Sequence, residues 1–205
     1  MNLMDFTDTP EIDWNEIEAL QRKVLCEYEP EIFERLNLSG FDINSRQDQE
    51  LVKKFIQRIT EEMCEAEEAF RVLRENPGVE KTSQLRAHVV EELVDAFNFL
   101  VEMYFILGRE FDWSAFQEGL GQEEPVPTRF EVIFELGLAG NKLKNREWRR
   151  SQYPVDLLIF DRHLRNSTRC LGQCFAQMGV LTRGEVASRW ARKNEVNRFR
   201  IASKY

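Results

Sequence analysis

The sequence predicts an all-α protein built on a helical-bundle core, and three observations lead there. Apolar residues recur at helical spacing along several long segments. Glycine and proline number only 10 and 6 in 205 residues, too few to punctuate a chain of short strands. No run alternates apolar and polar residues over the length of a strand. The first helix is expected over 14–28, ended by "EYEP". The second runs over 46–75 and stops before Pro77-Gly78. The third spans 83–108, with Ser83 as N-cap and Gly108 as stop. Residues 109–127, which hold Pro125 and Pro127, form a connection. A fourth helix starts at a capping box of Thr128 and Glu131 and reaches Arg149. A fifth covers 155–178. The sixth opens on a second box, Thr182 and Glu185, and runs to 201. The helices of 14–108 and 182–205 are expected to form a core of four long helices, with 109–181 as an appended helical segment of the same single domain.

Composition narrows the function classes. A net charge of −8 argues against a binder of duplex nucleic acid, which carries a basic face. A small anionic substrate stays open, because a bound cation inverts the local sign. No apolar run is long enough for a membrane span. The start "MNLMDFTDTPEID" lacks a signal-peptide core, so a soluble, cytoplasmic protein is expected. The four cysteines, Cys26, Cys64, Cys170 and Cys174, then read as free thiols. Cys170 and Cys174 have no second pair to complete a zinc site.

The second helix poses the functional question. Leu51, Val52, Phe55, Ile59, Ala66, Ala69 and Leu73 make an apolar stripe, and Glu62 falls inside it with Glu65 at its edge. The third helix adds a second pair. Val90, Leu93, Val94, Phe97, Val101 and Tyr104 form one apolar face, while Glu92 and Asp95 project from the other among Phe99, Met103 and Ile106. A helix apolar on two sides is central, and an antiparallel hairpin brings the two acid-x-x-acid pairs to similar depth. Four converging carboxylates cannot all stay ionised without compensation. Hard divalent cations with oxygen ligands fit best, and Mg²⁺ above all when the substrate carries phosphates. A di-iron bundle needs Glu three residues before His, but Leu85 and Phe160 hold those positions before His88 and His163. The bland reading of "EEMCEAEE" is a solvated acidic face.

Other polar residues lie on apolar faces. In the first helix Ile17, Leu20, Val24 and Tyr28 form the inward stripe, with Gln21 in its middle. A buried amide either bonds the protein or reads a ligand's polar edge. In the last helix Trp190, Lys193, Asn197 and Arg200 share one face, where two cations and an amide can clamp a polyphosphate. The segment "GNKLKNREWRRSQ" gathers Lys142, Lys144, Arg146, Arg149 and Arg150 around Trp148, a combination suited to a nucleotide by stacking and charge, or to a solvated helix end.

These residues resemble a family. Glu61-Glu62-x-x-Glu65 followed by Glu92-x-x-Asp95 is similar to the acidic signature of the all-α nucleoside triphosphate pyrophosphohydrolases, which include MazG-like enzymes and dimeric dUTPases. The tail "KNEVNRFRIASKY" resembles that of dimeric and phage-type dUTPases, and "LAGNKLKNREW" resembles a segment of phage members. The resemblance implies a homodimer that hydrolyses dUTP to dUMP and pyrophosphate with Mg²⁺. It implies that Glu62, Glu65, Glu92 and Asp95 hold the metal and that Glu62 takes the water's proton. Lys193, Asn197, Arg200 and Tyr205 would bind phosphates, and Gln21 would contact the base. The chain departs from the pattern at Leu25, Asn98 and Ile201, where the family often has Asn, His and Gln. Asn98 is thereby a candidate ligand-reading residue, and the same chemistry on dCTP or another deoxynucleotide is the alternative substrate. A non-catalytic acidic helical interaction protein is the rival from another class.

Overall fold

The computed structural model describes residues 14–75, 79–121, 129–145 and 150–202, which form eight helices and no strand. They are α1 (Trp14–Tyr28), α2 (Pro30–Ser39), α3 (Arg46–Glu75), α4 (Val79–Ile106), α5 (Trp113–Leu120), α6 (Arg129–Gly140), α7 (Leu157–Gln177) and α8 (Arg183–Ala202). None of them is long and apolar enough to cross a membrane.

Two helices occupy stretches to which the sequence reading assigned no helix: α2 between the first two expected helices, and α5 within the expected connection 109–127. Pro30 ends α1 but also opens α2 at its first position, where a missing N–H leaves no bond unmade. Asp112 caps α5 by accepting from the N–H of Ala115, and the helix buries Phe116 and Leu120. Both are short, 10 and 8 residues, so periodicity had too few turns to register. Helix α4 begins at Val79, ahead of Ser83, which is therefore not its cap. Helix α6 stops at Gly140 rather than Arg149. Beyond it Lys142 and Leu143 donate to the carbonyls of Ala139 and Gly140, closing a turn instead of extending the helix. Thr128 lies outside the described residues, whereas the Thr182–Glu185 box is formed in full. The Glu185 carboxylate accepts from the N–H groups of Leu181 and Thr182 at 2.9 Å, and Thr182 Oγ1 accepts from the Glu185 N–H at 3.3 Å. Gly108 stops α4 as expected. Its φ of 69° is reached without Cβ strain, and Gly108 and Arg109 donate back to Phe105 and Tyr104, a Schellman ending.

Helices α3 and α4 form an antiparallel hairpin. Phe55 meets Phe99 edge-on at 6.4 Å, while Glu62 gathers with Glu92, so one helix is read forward as the other is read backward. Helix α4 is the central element: it also packs against α1, α7 and α8, and almost every residue from Val89 to Leu107 is buried or half-buried. Helix α7 joins α5 and α6 to it, and one apolar cluster runs from Ile17 through Leu136 and Phe160 to Trp190. The α5–α7 crossing is close enough that a Cβ on Gly172 would stand 2.3 Å from the Phe116 carbonyl oxygen.

The inward faces differ in detail from the sequence reading. In α3 the core position is Met63, fully buried, and its neighbour Glu62 is half-buried beside it. In α1 the buried residues are Ile17, Gln21, Val24 and Leu25, while Leu20 and Tyr28 are exposed. Helix α1 touches both α4 and α8, and meeting two neighbours turns its buried face toward Leu25.

Candidate functional site

The hairpin brings the acids together. Glu62, Glu65 and Glu92 each offer a carboxylate oxygen within 4.8 Å of the others. Asp95 stands one turn along α4, and Lys193 of α8 reaches it with Nζ 2.7 Å from Oδ2. The same ammonium lies 3.5 Å from Glu91. His88 Nδ1 lies 3.1 Å from a Glu92 oxygen.

The electrostatics follow from crowding. Burial pushes the Glu62 carboxyl up to about 7, and the charges of Asp95, Glu65 and Glu92 push the same way against Lys193. Glu92 is raised too, by burial first and then Asp95, with His88 and Lys193 opposing. Burial lowers Lys193, but its bond to Asp95 and the neighbouring carboxylates outweigh it and hold the amine protonated. Among the described residues Lys193, with His88 beside Glu92, thus answers five acids: Glu62, Glu65, Glu91, Glu92 and Asp95. The all-oxygen donor set, spaced within a few ångströms and short of positive charge, fits a hard divalent cation.

A second polar cluster lies further along α4, where Glu102, only 6 % exposed, accepts from Gln21 Nε2 at 2.7 Å. Trp190 Nε1 donates to Gln21 Oε1 at 3.1 Å, and Asn194 Nδ2 approaches the same oxygen at 3.4 Å. Burial pushes the Glu102 carboxyl up to about 7, opposed by Gln21 and Arg58. Between the two clusters sits Asn98, buried, with no partner for Oδ1.

Not every sequence candidate converges here. Glu62, Glu65, Glu92, Asp95 and Lys193 meet, and Asn98 and Gln21 line up beside them along α4 and α1. Asn197 is half-buried one turn beyond Lys193. Lys144 is elsewhere. Its neighbour Asn145 donates its N–H to Gln49 at the start of α3, about 20 Å of helix rise before Glu62. Trp148, Tyr205 and the side chain of Arg200 lie outside the described residues. Leu25 is core, 1 % exposed, so the departure there is a packing position. The sequence reading missed Glu102 and Asn194. The signal for Glu102 was present: an acid between Val101 and Met103, seven residues after Asp95 and so on the same helix face.

Comparison of the chain with protein-family models, curated proteins and solved structures finds no match to any of them.

Proposed function

We propose that the protein is a Mg²⁺-dependent pyrophosphohydrolase of deoxynucleoside triphosphates, acting on dUTP or a related nucleotide to release the monophosphate and pyrophosphate. The observation that carries this reading is the carboxylate cluster of Glu62, Glu65 and Glu92, joined by Asp95, on an antiparallel hairpin, with Lys193 bonded to Asp95. Glu62, Glu65, Glu92 and Asp95 would hold the cation, which when bound neutralises phosphate charge and acidifies a water. Glu62 is the carboxylate that the resemblance implies would take the water's proton. Lys193, bonded to Asp95, stands beside the cluster, and with Asn197 one turn further along α8 it would orient the phosphates. The resemblance set out above implies dUTP as substrate and a homodimer as the working unit.

The deciding experiment is pyrophosphate release from each deoxynucleoside triphosphate with and without Mg²⁺. The expected result is Mg²⁺-dependent release confined to one or two nucleotides; no release from any of them contradicts the proposal. A thermal shift with Mg²⁺ and a non-hydrolysable dUTP analogue separates the enzyme from an acidic interaction protein, whose melting temperature stays unchanged.

A further inference from the structure

The Gln21–Glu102 end of the second polar cluster borders a cleft of about 430 Å³ between α1 and the latter half of α4, within the size range of small-molecule sites. Gln21 and Glu102 line it with Phe105 and Phe111, and the Arg22 guanidinium lies over the Phe105 ring at 4.3 Å. From Asp95 to Glu102 is seven residues, about 10 Å along α4, close to the reach of a nucleoside from its phosphate to the far edge of its base.

The polarity of this cluster can be read from one side chain. The Trp190 indole has an N–H and no acceptor, so its partner atom on Gln21 is the amide oxygen. The Gln21 NH₂ group then faces Glu102, which accepts. The Asn194 NH₂ group also goes to the Gln21 oxygen, which leaves Asn194 Oδ1 buried with no partner. Asn98 Oδ1 is in the same condition. Both asparagines are 6 % exposed. Neither asparagine lines the cleft; of its lining groups, Glu102 is the acceptor whose polarity is fixed, one of its oxygens taking the Gln21 N–H. A carboxylate at the wall of a cleft has acceptor capacity left for a ligand that brings a donor.

We propose that this cleft is the ring-binding subsite and that Glu102 selects a base with an exocyclic amino group, as in cytosine, over one with a keto oxygen, as in uracil. The proposal rests on the nucleotide reading above. The two pyrimidines differ at position 4, where cytosine presents an N–H₂ donor and uracil an acceptor. An ionised Glu102 accepts from the amino group and meets the keto oxygen acceptor to acceptor. Sites that hydrogen-bond a substrate group discriminate strongly against the analogue that lacks it. Protonated Glu102 can donate to a keto oxygen instead, so the preference grows with pH through about 7. The charged groups around it are Arg58 from α3, Glu29 before α2, Glu18 and Arg22 from α1, and Arg109 and Glu110 after α4. Among the described residues, α8 contributes the uncharged Trp190 and Asn194 to the cluster.

Two measurements test it. The first is the ratio of kcat/KM for dCTP over dUTP in the wild type and in Glu102→Gln, from pH 6 to pH 8.5. The expected wild-type ratio at the upper end is on the order of tenfold or more, falling as pH drops, and the glutamine variant should bring it near unity at every pH. The second is a thermal shift of the metal-free protein with dCMP or dUMP, which reads the subsite without turnover. The larger shift should come with dCMP, and the difference should vanish in Glu102→Gln. A preference for dUTP and dUMP, equal response to both, response to neither, or an unchanged preference in the variant overturns the proposal. If no triphosphate is hydrolysed yet dCMP is preferred in a Glu102-dependent way, the subsite stands and the hydrolase reading falls. Glu102→Asp, which draws the carboxylate back from the cleft by one methylene, serves if the glutamine variant does not fold, and it should reduce the dCMP preference.

Discussion

Two groups of carboxylates hang on α4 about 10 Å apart, and they solve the same electrostatic problem differently. Glu92 and Asp95 stand with Glu62 and Glu65 in a crowd of acids that, among the described residues, Lys193 and His88 only partly balance. Glu102 is a single carboxyl, almost wholly buried, answered by an amide that an indole holds in place. Burial raises Glu62 and Glu102 alike to about 7. In the first case a diffusible cation can complete the compensation; in the second the protein supplies the partner from its own fold. A carboxyl pushed up by burial does not by itself point to a metal; the proposed cation site rests on several acids sharing one space.

Substitutions at the crowded end should break the contrast most severely. Glu62→Gln or Asp95→Asn is expected to lower pyrophosphate release by roughly a thousandfold or more, with the helical circular dichroism signal unchanged. Appreciable activity in either variant would contradict the metal assignment.

The next effect is on stability and belongs to Glu102. Its carboxyl holds a proton up to about pH 7 when folded, against an ordinary value of 4.5. Unfolding then releases that proton across the window between those values, so stability is highest below it and declines as pH rises through it. Its share of the decline is about 3 kcal/mol, read from urea melts at successive pH values. Glu102→Gln should make the profile shallower by that share and leave the part that Glu62, raised to about 7 as well, contributes. A wild-type profile that climbs from pH 4.5 to 7 would refute the assignment.

Mg²⁺ should separate the two ends cleanly. At about a hundred times its dissociation constant the cation should stabilise the wild type by about 2.7 kcal/mol, visible as a raised melting temperature above pH 7. The gain should persist in Glu102→Gln and disappear in Asp95→Asn. Loss of the gain in both variants would mean that the clusters act as one site.

The smallest effect is at the indole. Trp190→Phe keeps the ring packing of a fully buried position but removes the donor that orients Gln21. It should cost about 1 kcal/mol of stability and lower the dCTP preference, while leaving Mg²⁺ binding intact. A variant that retains its base preference would show that Gln21 is oriented by Glu102 alone.

Much of this arrangement was legible in the residues. The long helices, the Gly108 stop and the Thr182–Glu185 box follow from periodicity and local backbone chemistry, which act within a few residues. The paired acids on 62–65 and 92–95 stood out because charge on an apolar face is costly wherever it occurs. The neighbourhoods were not legible, because they depend on how separate helices rotate and meet. Glu62 read as a core position, but packing against α4 seats Met63 there and leaves Glu62 beside the other acids. Gln21 read as an amide with an open choice of partners, and its choice was made by Trp190, 169 residues away. Lys193 read as a phosphate clamp, and it meets Asp95 because α8 lies along α4. Sequence pattern sets which helices form and which faces carry charge, since those are short-range energies. Which charge meets which partner is settled by the long-range packing of α1, α3, α8 and α4, where burial is shared among chain segments that no local pattern connects.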